Sequence, residues 1–113
     1  MLQIYHNPRC TISRKVLEEV RKSSNEVEVI EYLKKIPTVK ELKLLLSKLN
    51  LKPLQIVRTS EKLFKEKFKG KNFTDEEWIQ ILHENPVLIE RPIVVKNNKA
   101  ILCRPPERVE EII

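Results

Sequence analysis

The sequence predicts an α/β domain built on a mixed four-stranded sheet with helices packed against it. Three observations carry that prediction. Two strand-like runs near the start flank an amphipathic helical stretch, two short apolar runs near the end are joined by a tight polar turn, and the residues between have helical periodicity. The strands on either side of the middle segment would lack partners unless they paired with one another. Residues 38–85, roughly, are therefore expected as a helical insertion in one domain spanning 1–113, between a β-α-β half and a β-β-α half.

Residues 2–5, Leu-Gln-Ile-Tyr, form the first strand. Residues 11–22 place Ile12, Val16, Leu17 and Val20 on one helical face and charged residues opposite, and Ser23-Ser24-Asn25 ends the helix. Residues 27–32 alternate and are rich in β-branched side chains, giving a second strand parallel to the first if the helix is a crossover. Thr38 and Glu41 form a capping box at the start of a helix whose expected buried face is Val39, Leu42, Leu44, Leu45, Leu46 and Leu49, with Asn50 as the stop. Residues 53–68 read as a broken helix with Thr59 or Ser60 as a second cap, and Gly70, the only glycine, marks a turn. Thr74-Asp75-Glu76-Glu77 repeats the capping box before a helix that ends ahead of Asn85-Pro86. Residues 92–95 and 100–103 are strands joined at Asn97-Asn98, where both residues can adopt positive φ, and residues 107–113 form a last helix.

Composition narrows the function classes. At 41% apolar residues with mixed charge the chain reads as globular, and no apolar run approaches the roughly 18–20 residues of a membrane span. The first eight residues lack the layout of a signal peptide, so a cytoplasmic location is expected. The formal charge of +6 favours anionic partners weakly. Its lysines are interleaved with glutamates, as in Lys62, Lys65 and Lys67 beside Glu61 and Glu66, which describes a solvated helical face rather than a nucleic-acid surface. Cys10 and Cys103 lie at opposite ends of the chain with no Cys-x-x-Cys pair, and His6 and His83 are far apart, so no metal site is expected. His83 reads as structural or exposed.

Cys10 sits where the first strand runs into the first helix, and it has two readings. It is either a small buried apolar side chain or an activated nucleophile. For the second stand the unpaired N–H groups of a helix start, Arg9 and Arg14 within one turn, and His6 four residues back. Such surroundings lower a thiol pKa from about 8.5 into a range of about 3.5–7.5. Ser13 occupies the place of the second cysteine in a dithiol site, where it can donate to the thiolate or to a bound anion, or simply cap the helix. Any redox chemistry at Cys10 must then draw electrons from Cys103 or from an external thiol. Arg58, Arg91 and Arg104 stand outside the lysine-rich faces, and the planar guanidinium suits an oxyanion better than an ammonium does. Spacing alone leaves open whether they converge or serve as surface ion pairs.

Four blocks, Tyr5-His6-Asn7-Pro8-Arg9-Cys10-x-x-Ser13-Arg14, Asn85-Pro86, Arg91-Pro92-Ile93-Val94-Val95 and Leu102-Cys103-Arg104-Pro105, occur in an order that closely resembles the glutaredoxin-linked arsenate reductase family. The resemblance implies a thioredoxin-like fold with a helical insertion and a cis peptide before Pro92. It also implies reduction of arsenate to arsenite with glutathione as co-substrate, glutaredoxin as protein partner and no tightly bound cofactor. Carried onto this chain, Cys10 is the nucleophile, His6 favours its thiolate, and Arg58, Arg91, Arg104 and Ser13 hold arsenate or a similar oxyanion; a monomer is expected. The chain resembles more distantly the Spx-type transcription regulators that bind RNA polymerase, but those carry Cys-x-x-Cys where Ser13 stands here. A glutathione-dependent thiol reductase with another substrate would use the same Cys10.

Overall fold

Strand β1 (Leu2–His6) alternates buried and half-buried positions, with Leu2, Ile4 and His6 turned inward, as a period-two strand with one covered face requires. It is a central strand of a four-stranded sheet of order β2-β1-β3-β4. Strand β2 (Val27–Glu31) pairs parallel to β1, Ile4 opposite Val29. Strand β3 (Ile93–Lys96) pairs antiparallel on the other side, Ile4 opposite Val94 and Tyr5 opposite Ile93. Strand β4 (Lys99–Leu102) closes the hairpin, Val94 opposite Ile101. The computed structural model describes residues 1–113 and places all four strands in one compact unit, Met1–Lys35 with Arg91–Ile113. With one parallel and two antiparallel pairings, and a helical segment interrupting the chain between the halves, the fold is the mixed α/β class that the sequence predicts, of the thioredoxin-like kind that the family resemblance implies.

Helix α1 (Thr11–Ser23) buries Ser13, Val16, Leu17 and Val20. These apolar side chains pack with Leu2, Ile4, Val94, Ile101, Cys103, Val109 and Ile112 into one core. Each fully buried Val, Leu or Ile contributes about 1.5–3 kcal/mol relative to exposure, so the sheet and α1 hold each other in place. The hairpin turn differs from expectation, because only Asn97 takes a positive φ, of 56°. The last helix is instead a 3₁₀ turn at Pro106–Glu111; two successive prolines, Pro105 and Pro106, leave it without early backbone donors.

The second unit, Ile36–Glu90, is helical. Helix α2 (Val39–Leu49) has the predicted capping box, Thr38 Oγ1 accepting from the Glu41 N–H at 3.0 Å and Glu41 Oε1 accepting from the Thr38 N–H at 3.0 Å. It buries Leu42, Leu45, Leu46 and Leu49, whereas Leu44, expected on the same face, is 58% exposed because the i, i+3, i+4, i+7 stripe passes it by; the helix ends where Asn50 turns left-handed at φ 56°, a conformation asparagine tolerates better than most residues. The broken stretch resolves into a 3₁₀ turn at Pro53–Ile56 and the short helix α3 (Lys62–Lys67). Neither Thr59 nor Ser60 caps α3: its N-cap is Glu61, without a side-chain bond, since the Glu61 N–H is already bonded to the Arg58 carbonyl in the preceding turn. Helix α4 (Asp75–Glu84) carries the second capping box at Thr74 and Glu77. Trp78, 4% exposed, anchors the unit: Phe73 meets it edge-on at 5.0 Å and Phe64 stacks at 6.4 Å. A bridge between Val57 and Ile89, with the Arg58 N–H on the Leu88 carbonyl at 2.7 Å, draws the segment together. His83 is structural, its Nδ1 donating to the Pro37 carbonyl at 2.7 Å. No helix is long and apolar enough to cross a membrane.

Thr38→Ala and Thr74→Ala are each expected to lower stability by about 1 kcal/mol through loss of the cap, and Trp78→Ala by about 3–5 kcal/mol through the cavity it leaves. Urea unfolding followed by circular dichroism measures all three.

Candidate active site

The antiparallel registers decide which loops meet. Continuing the β1–β3 pairing two residues past Tyr5–Ile93 sets Asn7 opposite Arg91, and continuing β3–β4 past Ile93–Leu102 sets Arg104 opposite Arg91. One end of the sheet thereby gathers the loop after β1, the residues before β3 and those after β4. The Arg104 guanidinium donates to the Arg91 carbonyl at 3.1 Å, and the Cys103 N–H to the Pro92 carbonyl at 2.9 Å. The Arg91–Pro92 peptide is cis, as expected, and Arg104–Pro105 is cis as well.

The loop is folded by Asn7. Its side-chain oxygen accepts from the Arg9 N–H at 3.0 Å and its carbonyl from the Cys10 N–H at 3.0 Å, the turn chemistry of an Asx residue. Arg14 straps the same loop from outside, donating to the Pro8 carbonyl at 3.2 Å and to Thr11 Oγ1 at 3.3 Å. Cys10 is thus set at the N-cap of α1, with φ −95° and ψ 120°, and is half-buried. Burial alone would raise its pKa. The Ser13 N–H, the Arg91 guanidinium and the Ile12 N–H all face the sulfur and outweigh burial, so the thiol ionises below its ordinary value. The cysteine stands where an N-cap oxygen normally accepts from the second or third helical N–H, and the thiolate takes that acceptor role.

Arg91 is the cation of the pair. Burial opposes its charge, but hydrogen bonding to Cys10 and the adjacent Tyr32 phenol hold it protonated. Tyr32 is fully buried. The Arg91 Nε is also buried and has no hydrogen-bond partner, a donor left unmade at a cost of about 1–3 kcal/mol.

One expectation is corrected by the side-chain geometry. The Ser13 side chain does not reach the thiolate: it is fully buried, bonded to His6 Nδ1 at 2.6 Å and accepting the Asn7 N–H at 3.1 Å. Its backbone N–H is what faces Cys10, because the first helical turn points its amides outward while inward-facing side chains go to the core. His6 is not a cationic neighbour. Burial lowers its pKa against the pull of Glu31, with Arg21 and Arg14 adding to the lowering, so the ring is neutral near pH 7. With Ser13 Oγ already accepting from Asn7, the hydroxyl proton is assigned to Nδ1 and the ring proton to Nε2. His6 therefore fixes Ser13, and Ser13 fixes the loop and the amide beneath the sulfur.

The remaining residues divide. Arg104 belongs with Cys10 and Arg91 in the sheet unit, whereas Arg58 belongs to the helical unit, where it pairs with Glu61 at 3.4 Å and Glu90 at 3.5 Å. Cys103 is fully buried, with burial pushing its pKa up to about 12. It is an inert thiol. No three His, Cys, Asp or Glu side chains cluster in a way that would hold a metal ion. Sequence reasoning missed Asn7 and Tyr32. The first was detectable as an Asx turn in Asn7-Pro8-Arg9, and the second had no local signal, because only strand pairing brings the end of β2 to Arg91.

In comparisons with known proteins, the ArsC family model matches residues 5–112. The Escherichia coli (strain K12) protein YfgD, named as uncharacterized, is 40% identical over 114 residues, covering 99% of this chain and 96% of that one. An arsenate reductase of the same strain is 38% identical over 113 residues, covering 99% and 80%. Among solved structures, an arsenate reductase from Vibrio cholerae superposes with a TM-score of 0.93 at 41% identity, covering 99% of this chain and 97% of that one.

Arg91→Ala is expected to raise the Cys10 pKa, since it removes a cation that favours the charged form. The pH dependence of iodoacetamide alkylation, with mass spectrometry to confirm that Cys10 alone reacts, reads this directly. Ser13→Ala is expected to cost about 1–3 kcal/mol in stability, because it leaves His6 Nδ1 and the Asn7 N–H unpaired in a buried place.

Proposed function

The chain belongs to the ArsC family, and from that premise we propose that it is an arsenate reductase that works through Cys10, with glutathione and glutaredoxin as reductants. The observation that supports the reading most is the half-buried Cys10 sulfur faced by two backbone N–H groups and the Arg91 guanidinium. A thiolate is both the stronger nucleophile and the form these donors favour.

In the proposed reaction the thiolate attacks arsenic(V), and one arsenate oxygen leaves as water after protonation. Arg91 and Arg104 neutralise the oxyanion so that a negatively charged sulfur can approach it. Arg58 is assigned to the same task on the family resemblance alone. The thiolate of glutathione then attacks the Cys10 sulfur. The S–As bond breaks with its electron pair on arsenic, which becomes arsenic(III), while the two sulfurs, each oxidised by one electron, form a mixed disulfide. Glutaredoxin clears that disulfide by thiol–disulfide exchange. An external thiol is required because Ser13 stands in place of a second cysteine and Cys103 is buried and protonated. His6 acts by positioning Ser13, and the protein works as a cytoplasmic monomer.

A coupled assay with arsenate, glutathione, glutaredoxin, its reductase and NADPH tests the proposal. Arsenate-dependent NADPH oxidation is expected with the native protein and with Cys103→Ala, and none with Cys10→Ser. Absence of arsenate-dependent turnover in the native protein would refute it.

A further inference from the structure

A second feature of the sheet unit lies outside the anion site. An open groove of about 550 Å³ runs along α1, starting beside the catalytic loop. Its floor includes the buried side chains His6 and Leu17, and its rim is Arg14, Glu18, Arg21 and Lys22. The rim positions recur at helical i, i+4 and i+7 or i+8 spacing, so they share one face of α1. Charge along that face alternates: a cation, an acid, then two cations.

Arg14 is committed to the loop through Pro8 and Thr11. Lys22 lies 3.8 Å from Glu18 and 3.4 Å from the half-buried Glu19, but Lys22 and Glu18 are largely exposed, and such pairs exchange readily with a competing ligand. Arg21 is exposed and makes no ion pair in the structure. An acid flanked by cations, beside an apolar floor, complements a zwitterionic α-amino-acid group, whose ammonium needs a carboxylate and whose carboxylate needs a guanidinium.

The geometry points to this groove as the binding site for the γ-glutamyl end of the reducing thiol: Glu18 holds the ammonium and Arg21 the α-carboxylate of glutathione. The inference rests on the proposed use of an external thiol at Cys10 and adds where that thiol is held. The lengths agree. About 12 Å of helix separates Cys10 from Glu18 and about 16.5 Å separates it from Arg21, and side chains on a helix lean toward its N-terminus, here toward Cys10, with the long arginine able to reach back furthest. A γ-glutamyl linkage sets thiol and α-amino-acid group about 7–10 Å apart, the span of two to three extended residues. A thiol lacking that end, such as 2-mercaptoethanol, gains nothing from the groove.

The test needs no arsenate. Cys10 is converted to its mixed disulfide with thionitrobenzoate, and release of the chromophore is followed as a function of glutathione or 2-mercaptoethanol concentration. Arg21→Glu is expected to lower the second-order rate with glutathione by about five- to tenfold and to leave the rate with 2-mercaptoethanol unchanged. Lys15→Glu, the same charge change on another face of α1, leaves both unchanged, and Arg21→Ala gives an intermediate loss with glutathione. Equal rates for the native protein and Arg21→Glu with glutathione would overturn the assignment, as would an equal loss with both thiols. A loss confined to the glutaredoxin step in the coupled assay would overturn it in favour of a protein-docking surface. If arsenate turnover fails while the glutathione-specific loss remains, the groove stands and the substrate reading falls.

Discussion

A negative sulfur at the start of α1 has to be compensated, and the surrounding structure is arranged around that requirement. Cys10 loses hydration by being half-buried, which by itself favours the neutral thiol. Two backbone amides and one guanidinium reverse that preference. The amides come with the helix, since any α-helix begins with unpaired N–H groups. The guanidinium has to be delivered by tertiary structure, and the sheet delivers it: β1 carries the loop, β3 pairs beside it in the register that sets Asn7 opposite Arg91, and β4 brings Arg104 to hold the Arg91 carbonyl.

Beneath the sulfur lies a polar trio that the core would otherwise exclude. His6, Asn7 and Ser13 are all buried, and each is satisfied by the others or by the loop backbone. Buried polar groups are tolerated when paired and costly when not, so this trio allows one loop conformation and penalises alternatives. The neutral state of His6 belongs to the same arrangement, because a protonated ring would lose the bond that its Nδ1 accepts from Ser13. The histidine thus acts on the thiolate through geometry rather than through charge.

Much of the fold was legible in the sequence because its signals are local. A short apolar run marked β1, an alternating β-branched run marked β2, and the two Thr-x-x-Glu boxes marked the starts of α2 and α4. Where local signals were weak the reading slipped. Thr59 and Ser60 looked like caps, but the α3 start is governed by the turn at Arg58, and Pro105-Pro106 yields a 3₁₀ turn where a helix was expected. Within the site, Cys10 could be placed from the strand-to-helix junction alone. The closeness of Arg91 to Cys10 could not, because it depends on pairing between strands about ninety residues apart in the chain. Ser13 was noticed for its side chain, yet its backbone amide faces the sulfur; residue type carries no signal for that distinction. Buried, protonated Cys103 removes the one internal candidate for a resolving thiol, which makes the dependence on an outside reductant a consequence of packing.

The most direct test of the central claim, that nucleophile and cations form one anion site, is the ionisation of Cys10 measured by thiolate absorbance at 240 nm with and without sulfate, an unreactive tetrahedral stand-in for arsenate. A pKa below the ordinary thiol value that rises when sulfate binds is expected, since a second anion beside the same donors opposes the thiolate, and sulfate affinity should weaken as pH passes upward through the thiol pKa. An ordinary pKa, or a low one that sulfate leaves unmoved at saturating concentration, would contradict the account.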